Sequence, residues 1–502
     1  MREQLEGSKT MQLSKSDYML FLRHPAWLWT KKHQKHLLPP IDPSLQAKFD
    51  EGNQFEAYVE SLFPNLTRLG FENYSDYLNL PAQTENAWEH GAEIVSQGRY
   101  EHERLTCISD LVRKDKDGFI LTEIKSSTKA KEEHTLDLGF QKVVMELCGF
   151  PIIKCEVAHV NKHYTLNGPI NPDELVNFTD ITSEVESLIQ ITKERIDRAI
   201  NVIDSSQMPD PSPAKARLKS FDDWMEIRKK IPPELPKNSI YFLPFMDAEK
   251  STDLIKQDIE IVEDINDVSV LKTSTQKYLV AKSEGKRIVE KDMLRGFLSE
   301  IKYPVYYFDY ETSQSLIPPW EGTRPYQQVP FQFSLHILRG PNENVEHVEY
   351  LHRDTTNPMP ALIESLKKNI GDKGSILVWH QSFEKTRNNE MGEIFQKSAK
   401  FLKQINDRIL DLKIPFSKGI IRDPEFMGSS SIKKVLPALT KLSYDNLDVQ
   451  EGGTASRLWK EITLDNPSSP QREKVYADLV EYCTLDTWAM VEIHRELVRL
   501  AS

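Results

Sequence analysis

Cysteine is scarce in this chain and never paired in sequence. The four cysteines among 502 residues, Cys107, Cys148, Cys155 and Cys483, form no Cys-x-x-Cys pair. That spacing argues against a zinc ribbon and a disulfide framework, and buried, reduced thiols are the expectation. Long apolar runs are missing too. Nothing approaches the length of a membrane span, and the first thirty residues hold no secretory apolar core. A cytoplasmic location with no membrane partner is therefore expected. The chain also lacks a basic balance. Its formal net charge of −12 does not advertise nucleic-acid binding. Enzymes that hold divalent cations on carboxylates are nonetheless acidic at the site, and need Lys and Arg only where phosphate lies. What remains is the composition of a soluble globular protein, 39% hydrophobic and 28% charged, with mean hydropathy −0.51.

A chain of this length is expected to hold two or three domains, because single cores stop growing well before that size. No internal repeat marks the boundaries. The clearest break is "SSQMPDPSPAKA", residues 205–216, where closely spaced prolines follow the charged helical pattern "ITSEVESLIQITKERIDRAINVI". Residues 1–210 are therefore read as a first domain. Residues 211–300 are read as a mostly helical connecting region, with amphipathic runs such as "KRIVEKDMLRGFLSEI". Residues 301–502 begin to alternate strands with helices at Tyr303, the pattern of an α/β domain.

In the first domain, "CISDLVRKDKDGFILTEIKSST" alternates apolar and polar residues around "DKDG", a strong hairpin signal. A four-residue turn at Asp115–Gly118 sets Asp110 opposite Glu123, with Lys125 two residues along the same face. Directly opposed acids repel, so the pairing makes most sense around a cation. Hard oxygen ligands suit Mg²⁺ or Mn²⁺, and an adjacent lysine can position or deprotonate a water for attack on phosphorus. Asp110, twelve intervening residues and then Glu123-Ile124-Lys125 resembles the PD-(D/E)XK nuclease core. It is similar above all to the RecB-like branch, which includes the CRISPR-associated RecB-type nucleases. The resemblance implies that Glu56, from the helical "EGNQFEAYVESLF", joins Asp110 and Glu123 as a metal ligand. It also implies that Gln141, from "LDLGFQKVVMELCG", joins Lys125 as a catalytic residue. Many RecB-like proteins carry an iron–sulfur cluster, but His24 stands where an early cysteine would be, and "PDPSPAKARLKSF" has none. No cluster is expected, and packing of Trp27 and Trp29 is expected in its place. The nearby "RHPAWLWTKKHQKH" suits base stacking and phosphate contact, and equally a helix with a packed aromatic face.

The last domain opens on "VYYFDYETS". Alternation along a strand puts Asp309 and Glu311 on the face shared by Val305 and Tyr307. Either the strand is running out into solvent or this face holds something positive. The pattern "REKVYADLVEYCTLDTWAMVEIHREL" reads as one helix whose apolar stripe runs Val475, Leu479, Tyr482, Ala489, Ile493 and Leu497, with Asp486 inside the stripe. An inward carboxylate is costly unless paired with a base or bound to metal. Glu384 follows a buried strand in "SILVWHQSFEKTRNNEM", at a helix start where the dipole alone can explain an acid.

Together, Asp309, Glu311, Glu384 and Asp486 occur in the order of the DEDD exonucleases of the RNase H-like, DnaQ-type fold. "YCTLD", Tyr482 to Asp486, looks like the YxxxD motif of their tyrosine subclass. Two departures stand out: Glu384 replaces the usual Asp, and any base role falls on Tyr482, a phenol of reference pKa about 10. "YPVYYFDYET", "YQQVPFQFSLHIL", "RILDLKIPF" and "GSSSIKKVLPAL" resemble an uncharacterised bacterial family fusing a RecB-like half to such a C-terminal domain, over nearly the whole chain. Lys433 and Lys434, after a serine run that could cap a helix, are candidate phosphate contacts or ordinary solvated lysines.

The resemblance thus implies a restriction-endonuclease-like domain and an RNase H-like mixed-sheet domain. It also implies Mg²⁺- or Mn²⁺-dependent hydrolysis of nucleic acid, DNA ahead of RNA, with 3′–5′ action at the C-terminal site. One working site beside a domain that only grips nucleic acid, or a non-catalytic binding scaffold, are the rival readings.

Overall fold

The computed structural model describes residues 11–40, 43–273, 276, 286–341, 343–426 and 428–502. It is a mixed α/β structure that divides into two compact units, Met1–Tyr164 with Gly168–Asp264, and Thr165–Asn167 with Ile265–Ser502. The stretch read as a connector, 211–300, is shared between them. Its described residues include three helices of eight, eight and nine residues, Phe221–Arg228, Ala248–Ile255 and Lys291–Ser299, with the two-residue strand Ile288–Val289, short 3₁₀ turns and irregular backbone. Among the described residues no helix is long and apolar enough to cross a membrane.

The first unit is built on a mixed sheet of β1 (Leu13–Ser14), β2 (Leu66–Arg68), β3 (Ile94–His102), β4 (Leu105–Lys114), β5 (Phe119–Lys125), β6 (Ile152–Val160) and β7 (Val176–Asp180). The order is β2-β3-β4-β5-β6-β7, with β1 beside β4. The β4–β5 hairpin closes where the sequence places its turn. The Asp115 amide donates to the Gly118 carbonyl at 2.8 Å, and Leu111 pairs with Thr122, Val112 with Leu121. Gly118 is required for packing, since a Cβ there would lie 2.6 Å from the Pro151 carbonyl oxygen. Helix α1 (Lys15–Arg23) starts directly from β1, with Ser14 and Asp17 in a reciprocal capping box. Helices α2 (Pro25–His33), α3 (Pro43–Glu60), α4 (Tyr74–Glu89), α5 (Glu132–Leu147) and α6 (Thr182–Asp204) complete the helical framework of the sheet. Helix α5 is buried from His134 to Met145, so its polar residues there must find partners inside.

The junction of α1 and α2 shows what His24 does. Its ring is fully buried and stacks on Trp224 at 4.2 Å. Its Nδ1 accepts from the Ala26 amide at 3.1 Å, and its Nε2 lies 3.0 Å from the Ser212 carbonyl. Trp29 Nε1 donates to the Ser205 carbonyl at 2.9 Å. The front helices are thus tied to segment 205–216 by packing and hydrogen bonds. Lys31 and Lys32 hold the buried Asp17 carboxylate at 2.8 and 2.6 Å, so much of the basic-aromatic segment is spent on structure.

Burial pushes His24 down to about 4 from an unfolded value near 6.5. A histidine with a depressed folded pKa stabilises above its unfolded pKa, and that contribution is lost as pH falls toward the folded value. We expect on the order of 3 kcal/mol to be lost between about pH 6.5 and 4. Trp224 emission against pH should report it, and His24→Gln should flatten that limb; an unchanged limb would remove His24 from the account.

The second unit carries a five-stranded sheet of β8 (Val305–Ser313), β9 (Val329–Leu338), β10 (Glu346–Leu351), β11 (Ser375–Val378) and β12 (Ile409–Asp411). The order is β10-β9-β8-β11-β12, antiparallel through β10, β9 and β8, then parallel through β11 and β12. The central β8 is buried on both faces. Tyr306, Phe308 and Tyr310 join the core with helix α7 (Pro358–Asn369). Val305 and Tyr307 face the core shared with α11 (Arg472–Ala501). Asp309 and Glu311 continue that second face, opposite Ser334 and Gln332 of β9. Helices α8 (Gln381–Ile394), α9 (Ile432–Leu439) and α10 (Gly452–Lys460) bring the remaining side chains to it.

Candidate metal centres

In the first unit the hairpin register carries Asp110 and Glu123 together. The Ile124 amide donates to Asp110 Oδ2 at 2.8 Å. Glu123 has no exposed surface, and three groups converge on it. Lys125 Nζ donates to Oε1, Lys15 Nζ reaches Oε1 at 3.0 Å and Oε2 at 3.3 Å, and Gln141 Nε2 donates to Oε2 at 2.5 Å. Gln141 also donates to Asp137 Oδ1 at 3.0 Å, and Asp137 sits 3.7 Å from Lys15 and 3.5 Å from Lys125. Gln141 Oε1 is buried without a hydrogen-bond partner. Glu56 is half-buried at the margin, accepting from Gln97 Nε2 at 2.7 Å; burial and then the neighbouring Glu60 raise its pKa, with a smaller push from Glu123.

The electrostatics divide the acids. Burial and then Glu123 push Asp110 up to about 7. Glu123 itself is held well below the usual range, the two ammonium groups outweighing its burial. The positive charge these opposed acids need is thus supplied in part by the protein, through Lys15 as well as Lys125. Two members were missed from sequence. Asp137 lies one turn before Gln141 on the same helical face, a signal that was there to read. Lys15 lies 108 residues from Glu123 and is delivered by β1 pairing with β4, Leu13 to Leu105 and Ser14 to Thr106.

In the second unit Asp309, Glu311, Glu384 and Asp486 share one region of charge. Burial raises Asp309 well above the carboxylate range, with Asp486, Glu311 and Glu384 adding to it. Glu311 moves the same way through burial and Asp486, against the pull of Lys433. Burial takes Asp486 up to about 6 despite the Tyr444 hydroxyl, which donates to its Oδ1 at 2.6 Å. Glu384 is 1% exposed and pushed up to about 8 by burial and then Asp411. Its Oε2 is buried with no hydrogen-bond partner. Ligand atoms of Asp309, Glu311 and Cys483 lie within 4.8 Å of one another, the one such group found among the described residues.

Asp411 organises the Glu384 helix. It accepts from the His380 and Gln381 amides, each at 3.1 Å, and from the Lys413 amide at 3.0 Å. His380 takes a left-handed φ of 97° as the N-cap, so α8 is aimed by a carboxylate on its first amides. Tyr482 is buried, and burial with Asp486, Glu311 and Asp309 nearby keeps its phenol protonated. Lys433 lies over the Tyr444 and Tyr482 rings at 5.8 and 5.7 Å and donates to the Gln450 carbonyl. Lys434 is exposed. Ser431, at the end of the serine run, is the N-cap residue of α9; its carbonyl accepts from the Lys434 and Val435 amides, but its side chain makes no capping bond. Gly452 opens α10 against the site, where a Cβ would come 3.5 Å from Glu311 Oε2.

A buried set of hard carboxylate oxygens, one of them orphaned, fits Mg²⁺ or Mn²⁺ in donor chemistry. Sequence reasoning missed Tyr444, which sits in an irregular segment. It also passed over Asp411, although "RILDL" ends a buried strand on an acid much as "VYYFD" does.

A family model described as "Domain of unknown function (DUF2779)" matches residues 306–431, a span that contains Asp309, Glu311 and Glu384 but not Tyr482 or Asp486. The chain is 28% identical over 213 residues to "Uncharacterized protein MG366" of Mycoplasma genitalium, covering 39% of this chain and 32% of that protein. It is 26% identical over 262 residues to "Uncharacterized protein UU173" of Ureaplasma parvum, covering 48% and 38%. The "Uncharacterized protein MG366 homolog" of Mycoplasma pneumoniae is 27% identical, covering 43% and 35%. The matched stretch spans about a third of the length of these curated relatives, and their names carry no activity, so a functional reading rests on the two centres themselves.

Proposed function

We propose that this chain is a divalent-metal-dependent nuclease that acts on nucleic acid, DNA ahead of RNA. In this reading the C-terminal unit trims 3′ ends and the N-terminal unit is a second phosphodiester-cleaving centre. The observation that carries it is the C-terminal acid cluster, four carboxylates in one low-dielectric region with Glu384 Oε2 left unpartnered. Two unit charges 4 Å apart repel by about 4 kcal/mol at an effective dielectric of 20. A fold gains nothing from assembling such a cluster unless something positive arrives. The RNase H-like reading is supported by a mixed sheet whose central strand carries the Asp-x-Glu pair, with Glu384 on the helix after β11 and Asp486 on the helix that crosses β8. The PD-(D/E)XK reading is supported by Asp110 and Glu123-x-Lys125 on one hairpin, with Gln141 on the following helix.

Asp309, Glu311, Glu384 and Asp486 would hold Mg²⁺ or Mn²⁺, which when bound supplies activation of the attacking water and charge stabilisation at the leaving 3′ oxygen. The chain does the positioning. Tyr444 fixes the rotamer of Asp486, and Asp411 fixes the helix that presents Glu384. Tyr482 acts as a neutral hydroxyl that orients rather than deprotonates, and Lys433 faces the acids with a charge suited to a phosphate. In the N-terminal unit Gln141, itself held by Asp137, orients Glu123, and Lys125 is the group placed to steer a nucleophile. A second reading has its own support. Lys15 already neutralises Glu123, which favours an N-terminal unit that grips nucleic acid without turnover.

Labelled single- and double-stranded DNA and RNA, each with Mg²⁺, Mn²⁺ or EDTA, separate these readings. Asp309→Ala/Asp486→Ala should abolish 3′-end release, and Asp110→Ala/Lys125→Ala should abolish any remaining cleavage. If the second pair changes nothing while binding persists, the N-terminal unit only grips. Cleavage indifferent to all four changes would sink both site assignments.

A further inference from the structure

We infer that Cys483 is a ligand in the C-terminal centre, giving it one soft donor among hard ones and a preference for borderline or thiophilic divalent cations over Mg²⁺. This rests on the metal-centre reading above and specifies which ion the centre takes. The helix α11 places Cys483 one turn before Asp486, on the side that meets β8. Its sulfur and one oxygen each from Asp309 and Glu311 fall within 4.8 Å of one another, close enough that small side-chain rotations bring them onto one cation at ordinary metal–oxygen and metal–sulfur lengths. All three residues are at least partly buried, Cys483 wholly so and Glu311 6% exposed. An independent feature points to a missing positive partner. Glu384 is 1% exposed, its Oε2 has no hydrogen-bond partner, and its charge acts on Asp309.

The chemistry follows from donor type. Carboxylates alone suit Mg²⁺, which demands octahedral oxygen coordination and sheds water reluctantly. A thiolate adds affinity for Zn²⁺, Co²⁺ or Cd²⁺ and offers Mg²⁺ nothing. Binding forms a metal–sulfur bond and releases the thiol proton to solvent, with no change in oxidation state. The remaining acids, Glu384 and Asp486, stay available as all-oxygen ligands.

The full-length protein can be titrated with Cd²⁺ and the sulfur-to-cadmium charge-transfer absorption followed in the ultraviolet. Wild type should develop the band at about one equivalent. Cys483→Ser should lose it while Cys107→Ser/Cys155→Ser keeps it, and Asp309→Asn, which leaves the thiol in place, should weaken Cd²⁺ binding at least tenfold. Circular dichroism shows whether each variant is folded, and the Asp309→Asn arm keeps the test decisive if Cys483→Ser is not. A band that persists in folded Cys483→Ser, or no band in a wild type that binds Mn²⁺ by electron paramagnetic resonance, overturns the Cys483 assignment and leaves the carboxylate centre standing. A wild type that binds neither Mn²⁺ nor Cd²⁺ overturns the metal-centre reading and this inference with it.

Discussion

Asp309→Asn should remove 3′-end hydrolysis and, in EDTA at pH 8, make the protein more stable than wild type. The activity loss should exceed the roughly 10–100-fold that follows from losing a mere outer-shell partner of a metal, because Asp309 lies among the acids that would hold the ion. The stability gain has the opposite origin. Burial and repulsion from neighbouring acids raise Asp309 and Glu311 far above the carboxylate range, burial takes Asp486 up to about 6, and burial with Asp411 takes Glu384 up to about 8. A carboxyl group whose folded pKa exceeds its unfolded value contributes stability that is complete below about pH 4 and lost as pH rises through the folded value. The metal-free wild type should therefore weaken steadily from pH 4 to 8. Asparagine cannot ionise, so the advantage of the variant should grow over that window. Adding Mn²⁺ should reverse the order, because wild type gains cation binding that the variant lacks. Thermal midpoints at pH 5 and pH 8, with EDTA and with Mn²⁺, make the comparison. A variant less stable than wild type in EDTA at pH 8 would mean that the protein itself satisfies Asp309.

The parts of both centres that were legible in sequence are those fixed by local periodicity. Alternation on β8 put Asp309 and Glu311 on the Val305 face, and the stripe on α11 put Asp486 inward. The turn at Asp115–Gly118 was enough to bring Asp110 to Glu123. Each depends only on spacing within an element or across one tight turn. What stayed hidden depends on contacts between distant segments. Lys15 reaches Glu123 because a two-residue strand pairs in parallel with β4, and Tyr444 reaches Asp486 from an irregular segment with no period to read. Cys483 was visible as a buried thiol, but its proximity to β8 requires knowing how α11 crosses the sheet. The His24 stack on Trp224 and its bond to the Ser212 carbonyl show the same limit: the packing tie was foreseen, and its principal side chain was not.

Lys15→Met should behave in the reverse sense to Asp309→Asn. The C-terminal acids are crowded without sufficient countercharge, whereas Glu123 has no exposed surface and takes charge-assisted bonds from Lys15 and Lys125. Removing one partner of a buried ion pair strands the other, a loss of 3–5 kcal/mol in well-buried cases. Here Lys125 remains and the Lys15 side chain is 22% exposed, so about 2–3 kcal/mol is expected. Because Lys15 helps hold Glu123 below its ordinary pKa, the loss should be fullest above the unfolded value near pH 4.3 and vanish as acid protonates the carboxylate. Hydrogen exchange across β5 near pH 7 should accelerate by roughly 30–150-fold, at 1.36 kcal/mol per decade. The same vacancy should make the N-terminal unit a better cation site. Asp110, Glu123 and Asp137 would then share a single ammonium, so Mn²⁺ should protect β5 in the variant more strongly than in wild type. If Mn²⁺ restores protection and Mn²⁺-dependent internal cleavage rises together, Lys15 is a resident substitute for a metal at a competent centre. If protection returns without cleavage, the centre holds a cation only to support a nucleic-acid grip. Unchanged exchange in Lys15→Met would show that Lys125 alone balances Glu123, and the asymmetry drawn between the two centres would fail.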